Sequence, residues 1–296
     1  MPQTFYEVIW IFIIYAFIGW CSEVSYAALD RGIFVNRGFL NGPYCPIYGC
    51  GVLIVVVLLT PLKKNLLILY LGSFLLTSVL EFITGFVMEK VFHNKWWDYS
   101  DKPFNIMGYV CLKFSIFWGL ACTFIMLIIH PIIYGFIRLI PHIVGVVLLV
   151  IIMTGFVIDV AVTVSTIVKF NRRLKVMDDI AAKIKVLSNQ IGENIYENVE
   201  EALEKSAEFK EEHAEKIEEF EEKKEKLATA AGTTKEKITG AADETKEKLE
   251  NLRHKYDELL SKKNAVSSRL MKAFPDMKSK YHNEILQKLK KINIRK

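Results

Sequence analysis

Three carboxylates interrupt long apolar stretches of this chain: Glu23, Glu81 and Asp159. An acid near a bilayer centre costs roughly 2.5–3.5 kcal/mol or more, so such groups face a protein interior or a wet cavity. Their neighbours recur at four-residue intervals, as Gly19 and Glu23, as Ser73, Thr77, Glu81 and Gly85, and as Gly155, Asp159 and Thr163. That spacing lines small and polar groups along one side of a helix. The chemistry on offer is binding of a cation, a proton or a positively charged substrate. The same residues could equally be structural, protonated or paired with Arg37 or Lys113 to lock helices together.

Two unusual loops lie near these acids. The first, Asn36-Arg37-Gly38-Phe39-Leu40-Asn41-Gly42-Pro43-Tyr44-Cys45-Pro46-Ile47-Tyr48-Gly49, is rich in Gly and Pro yet also apolar and aromatic. Gly and Pro prevent a regular helix while Phe39, Leu40 and Tyr44 seek burial, so the segment is expected to fold back into the bundle mouth. Arg37 is the natural counter-ion for Glu23 or Glu81. The second loop holds Trp96, Trp97, Asp98, Tyr99 and Asn105. Its aromatics suit a membrane interface. Asp98 and Asn105 either cap helix starts or join the same vestibule. Glu23, Asn36, Arg37, Tyr48, Glu81, Asp98, Asn105 and Asp159 form the candidate substrate-binding set.

The elements that must position them are membrane helices. Stretches long enough to cross about 30 Å of hydrocarbon occur over 6–29, 66–88, 110–136 and 143–168, and a marginal one over 46–62 counts as a fifth span. The N-terminal stretch lacks a basic leader region and is too long for a signal h-region, so it is expected to stay as the first span. Lys169, Arg172, Arg173 and Lys175 follow the last span, and no Lys or Arg precedes Arg31. By the positive-inside rule the N-terminus lies outside, and both unusual loops and the C-terminus lie in the cytoplasm of a bacterial plasma membrane. Each acid then sits about 10–15 Å below the inner surface, at 1.5 Å per residue.

Composition divides the chain. Most of its 38 Lys and Arg and 33 Asp and Glu lie from Lys169 onward, which implies lipid around 1–170 and water around 171–296. A net charge of +5, with both signs interleaved in the tail, argues against nucleic acid. The five cysteines all fall in the apolar part, none in a CxxC pair or at ligand spacing from a histidine, so packing is their expected role and no metal or cofactor is expected. In the tail, Ile180, Ile184, Leu187, Ile191, Ile195, Val199 and Leu203 recur every three or four residues as an amphipathic or coiled-coil seam. Helices are predicted over 174–231, 235–271 and 277–292, with the apolar-poor 233–250 stretch disordered when unpaired. The fold class is therefore all-α: a polytopic membrane protein with a charged helical tail.

The NRGFLNGPYCPIYG run, Gly19-Trp20 with Glu23, the mid-helix Glu81, WWDYS and Asn105 together resemble the bacterial ABC transporter permease family of the CmpB type, over roughly 5–169. The resemblance implies a multi-span membrane protein with a role in transport. No GxxxxGK[ST] pattern occurs in the sequence, so ATP hydrolysis would come from a separate subunit. The tail, outside the resemblance, could recruit that ATPase, hold a homo-oligomer together or touch anionic lipid. Two other classes stay open: a membrane-embedded enzyme on lipid or envelope precursors, and a membrane-anchored coiled-coil scaffold. The enzyme reading lacks a nucleophile or metal cluster, because His93, His130 and His142 are scattered.

Overall fold

A computed structural model of the chain describes residues 2–212 and 244–294. The chain is all-α, and its helices begin and end where local chemistry dictates. Helix α1 (Phe5–Arg31) starts at Thr4, whose hydroxyl accepts from the Glu7 amide, and stops at Gly32, left-handed at φ 67°. Helix α2 (Pro46–Leu59) opens on a proline, which has no amide to leave unsatisfied, and ends in a 3-10 turn, Thr60–Leu62. Helix α3 (Leu66–Phe92) is capped by Asn65, which accepts from the Ile68 amide.

The next span is α4 (Leu112–Phe124), a π turn (Ile125–Ile129) and α5 (His130–Leu139). Pro131 cannot donate to the turn before it, and the widened turn absorbs that defect. Helix α6 (His142–Glu212) runs without a break from the apolar stretch into the charged one. Four helical stretches are long and apolar enough to cross a bilayer, Phe5–Arg31, Leu66–Phe92, Leu112–Leu139 and His142–Glu193, and Pro46–Leu62 is shorter.

The chain forms two compact units, Met1–Arg172 with Lys263–Lys296, and Arg173–Lys262. In the first, Trp10, Ile11 and Tyr15 of α1 pack with Val55, Val56 and Leu59 of α2, Leu69 of α3, Met126, Ile137 and Leu149. This apolar core occupies one end of the bundle. Helices α1, α3 and α6 all run from it toward their acids, Glu23, Glu81 and Asp159, at the other end. Glycines let α1 and α2 approach closely: a Cβ on Gly49 would lie 2.6 Å from the Phe12 carbonyl, and one on Gly19 would collide with the Tyr48 ring.

The acid end carries short pairings. β2 (Asn105–Ile106) pairs with β3 (Val110–Cys111), and β1 (Asn94–Lys95) pairs antiparallel with β4 (Lys278–Ser279), matching Asn94 to Ser279 and Lys95 to Lys278. The C-terminal segment thus returns to the membrane unit through α8 (Ala265–Ala273), β4 and α9 (Asn283–Ile294).

In the second unit a helix over 244–261, α7, lies antiparallel to the distal part of α6. Arg173 donates to the Leu259 carbonyl, and Val186 and Leu187 line a cleft with Lys248 and Leu252. Of the seam, Ile180 is buried, Ile184, Leu187 and Ile191 are half-buried, and Val199 and Leu203 are exposed.

Helix boundaries in the tail differ from the sequence expectation. The first helix is continuous with the last span and is described to Glu212; 213–243 lies outside the described residues. Asn264 starts a new helix by accepting from the Ser267 amide at 3.0 Å, so 235–271 is divided. Residues 244–250 are helical and lie against α6, so they are not an unpaired segment, and 233–243 lies outside the described residues. The last helix begins at Asn283, because Lys278 and Ser279 are extended in β4.

Candidate functional site

All three intramembrane acids reach the acid end, but they meet different partners. Glu23 forms an ion pair with Arg37, Nε to Oε2 at 3.3 Å, and accepts from the Tyr48 hydroxyl at 2.5 Å. Arg37 also lies over the Tyr26 ring, 5.1 Å from its centre. Tyr48 is held edge-on against Trp118. Both oxygens of Glu23 are therefore engaged, and Arg37 supplies the expected counter-ion.

Asp159 organises the first loop. Its Oδ1 accepts from the Asn41 amide at 3.1 Å, the Asn41 side chain at 2.8 Å and Thr163 at 3.2 Å, and its Oδ2 accepts from the Gly42 amide at 2.6 Å. A Cβ at Gly42 would stand 3.1 Å from that carboxylate, so glycine permits the approach. Asn36 works from the other side. Its Oδ1 accepts from Trp20 at 2.8 Å and from the Gly38 amide at 3.1 Å, while its Nδ2 donates to the Asn41 carbonyl at 2.7 Å. The non-helical loop folds back because a half-buried carboxylate and an asparagine satisfy the amides a helix would otherwise satisfy.

Glu81 differs from the other two. It is 9% exposed, its Oε1 accepts from Tyr99 at 3.3 Å, and its buried Oε2 has no hydrogen-bond partner among the described residues. Ser73, two turns earlier on the same face, is fully buried with its hydroxyl likewise unpartnered. Tyr99 stacks on Phe114 at 4.9 Å. Burial pushes the Tyr99 phenol well above its ordinary range; the charges of Glu81 and, more weakly, Glu23 add to the shift. That phenol stays a hydrogen-bond donor to the carboxyl.

Asn105 bonds within the second loop, and Asp98 bonds both within it and to Lys278 of β4. Asp98 accepts from Lys95 at 2.9 Å, Lys278 at 2.7 Å, and the Ser100 amide and hydroxyl at 3.1 and 2.5 Å. Burial works against ionisation of this carboxyl, but the hydrogen bonds from Lys278, Ser100 and Lys95 outweigh it and hold Asp98 well below the usual carboxylate range. Asn105 donates to the Lys102 carbonyl at 2.8 Å and accepts from the Gly108 amide at 3.1 Å. Glu23, Arg37 and Tyr48 thus form one cluster, Asn36 and Asp159 another around the first loop, and Glu81 a third with Tyr99. Asp98 and Asn105 shape the loop that carries Tyr99.

Sequence reasoning passed over two residues. Tyr99 read as an interfacial aromatic, and nothing in the sequence distinguishes a phenol aimed at an acid from one aimed at headgroups. Arg269, on α8, sends its guanidinium onto the first loop. A cation on an amphipathic tail helix carries no signal of a partner more than two hundred residues earlier.

A family model described as "Putative ABC-transporter type IV", of the CmpB type, matches residues 10–164. The match covers the helices that carry Glu23, Glu81 and Asp159, and both loops, but not the C-terminal segment. No solved structure matches the chain. With its helices of membrane-spanning length, its two loops and more than half of its length under that match, the chain belongs to the CmpB-type family of ABC-transporter-related multi-pass membrane proteins.

Proposed function

We propose that this chain is the membrane-embedded component of a transport system, and that its route for a cation, a proton or a positively charged substrate passes Glu81. The observation that carries this reading is the difference in satisfaction among the acids. Glu23 and Asp159 spend their oxygens on Arg37, Tyr48, Asn41, Gly42 and Thr163, whereas Glu81 is buried with one oxygen unpartnered among the described residues. A buried polar atom without a partner is costly, and an ionisable one within a membrane helix is the kind of group that substrate and ion pathways use. Tyr99 donates to the other oxygen, and Glu23 with Tyr48, within electrostatic range of Tyr99, supplies the next group along the route.

The acid end faces the cytoplasm in this proposal, as a vestibule in a bacterial plasma membrane. Arg31, Arg37, Lys90, Lys95 and Lys102 belong to it, and the returning segment adds Lys272 and Lys278 to the same end. That concentration of cations accords with the positive-inside rule. ATP hydrolysis comes from a separate subunit, since the sequence has no GxxxxGK[ST] motif. The packed helices α6 and α7 offer the surface for that subunit or for a second copy of the chain.

The test is flux in sealed proteoliposomes, read as proton movement with an internal pH dye and as uptake of radiolabelled methylammonium. Glu81→Gln is expected to abolish the flux that the wild-type chain supports, with expression and helix content unchanged. Wild-type flux through the variant would remove Glu81 from the route.

A further inference from the structure

The first loop presents its amides and its carbonyls in opposite directions. The amides of Gly38, Asn41 and Gly42 are taken by the Asn36 and Asp159 side chains. The carbonyls of Asn36, Gly38 and Phe39, with the Asn41 side-chain oxygen, converge on one point outside the turn. The Arg269 guanidinium fills it: Nη1 donates to Gly38 at 2.7 Å and Asn36 at 3.4 Å, Nη2 to Phe39 at 3.0 Å, and Nε to Asn41 Oδ1 at 3.2 Å. Four oxygens around a planar, forked cation suit a guanidinium; an ammonium has three donors that cannot spread across them. The Asp159 carboxylate, directly behind Asn41 and Gly42, adds favourable charge to the same place.

The receptor lies inside the family match at 10–164, whereas its occupant comes from α8, outside it. The occupant is also anchored on both sides. Arg31 donates to the Lys272 carbonyl at 2.8 Å, Ala273 and Phe274 pack on Ala27 and Val35, and β4 pairs with β1 while Lys278 bridges to Asp98.

We propose that the 36–41 turn is a guanidinium-binding site which this chain fills with its own Arg269, so that the C-terminal segment is an intramolecular ligand closing the site to guanidinium compounds from outside. A tethered ligand acts at an effective concentration in the millimolar range or above, so an external one enters only when the tether lets go. The site therefore reports whether the C-terminal segment is docked. The inference stands apart from transport, because the receptor needs neither Glu81 nor flux.

Cys45 supplies the readout. It is buried, and its sulfur lies beside the Phe39 amide and within electrostatic range of Arg269. The purified full-length chain is treated with N-ethylmaleimide and Cys45 is followed by peptide mass. In Arg269→Ala the rate of alkylation is expected to rise by at least about tenfold, which corresponds to ~1.4 kcal/mol. Methylguanidine should restore protection saturably in the variant, leave the wild-type rate unchanged, and outperform methylammonium at equal ionic strength. Arg269→Gln, with a shorter, uncharged side chain, serves the same comparison where alanine impairs folding. An unchanged Cys45 rate in a folded variant would overturn the closure. Faster alkylation that methylguanidine fails to slow, or that methylammonium slows equally well, would overturn the guanidinium site.

Discussion

Replacing Asp159 with asparagine tests whether one carboxylate holds the first loop in the bundle mouth. In the wild type, Oδ1 takes three donors and Oδ2 takes the Gly42 amide at 2.6 Å. The amide of asparagine can keep an oxygen toward Asn41 and Thr163, but its NH2 must then face the Gly42 N–H. One charge-assisted bond, worth roughly 1.5–3 kcal/mol, is lost outright, and the remaining three fall to about half their strength. Part of that loss is offset, because a neutral amide is cheaper to bury than a carboxylate. A net cost of about 2 kcal/mol corresponds to ~30-fold easier opening of the loop. The assay is hydrogen exchange over 36–45, read by mass on the detergent-solubilised chain. Asp159→Ala, which leaves the Asn41 and Gly42 donors unanswered, should open the loop further than asparagine does. Thr163→Val, which removes the 3.2 Å bond to Asp159 and the 3.0 Å bond that Thr163 accepts from the Asn41 side chain, should cost less than Asp159→Ala does. Exchange in Asp159→Asn within about twofold of wild type, or a Thr163→Val effect equal to that of Asp159→Ala, would refute the assignment of the loop to this carboxylate.

Gly108 sits at φ 72°, and a Cβ there would press on Ser100 Oγ, Asp98 Oδ1 and Lys95 Nζ. Gly108→Ala should therefore destabilise the chain by more than the ~1 kcal/mol of backbone strain alone, seen as a lower thermal midpoint, and an unchanged midpoint would contradict the loop geometry. Asp98 gives a pH dependence of known sign: its folded pKa is held below the unfolded value of about 3.9, so its contribution is complete above that value and is lost as pH falls below it. Exchange over 274–282, normalised to the chemical exchange rate, should stay flat from about pH 5 to 8 and rise below about pH 4, and Asp98→Asn should show the loosened value throughout.

Much of the acid end was legible because its signals are local. Intramembrane Glu23, Glu81 and Asp159 stand out against their surroundings, and a Gly/Pro segment rich in aromatics must fold inward. Arg37 follows as the counter-ion to Glu23 or Glu81, and the ion pair formed is with Glu23. What stayed hidden depends on contacts distant in sequence, or on which way a single side chain turns. The equivalence of the three acids dissolves once the loop amides are placed, because two carboxylates are consumed by neighbours that periodicity cannot assign. Asn36, a candidate ligand in the sequence, ties Trp20, Gly38 and Asn41 together, contacts that its position alone does not announce. The return of the tail rests on Arg269 and on a two-residue strand, Lys278–Ser279, too short for any alternating pattern to announce.

The reciprocal seating of α1 and α2 limits what can move. Gly19 receives Tyr48 from one helix, and Gly49 receives Phe12 from the other, so each fits only where its partner lacks a side chain. Sliding either helix by a residue would set a ring against a Cβ. The pair therefore behaves as a strut with a fixed register, and any relative motion at this end is left to the segment between the two helices.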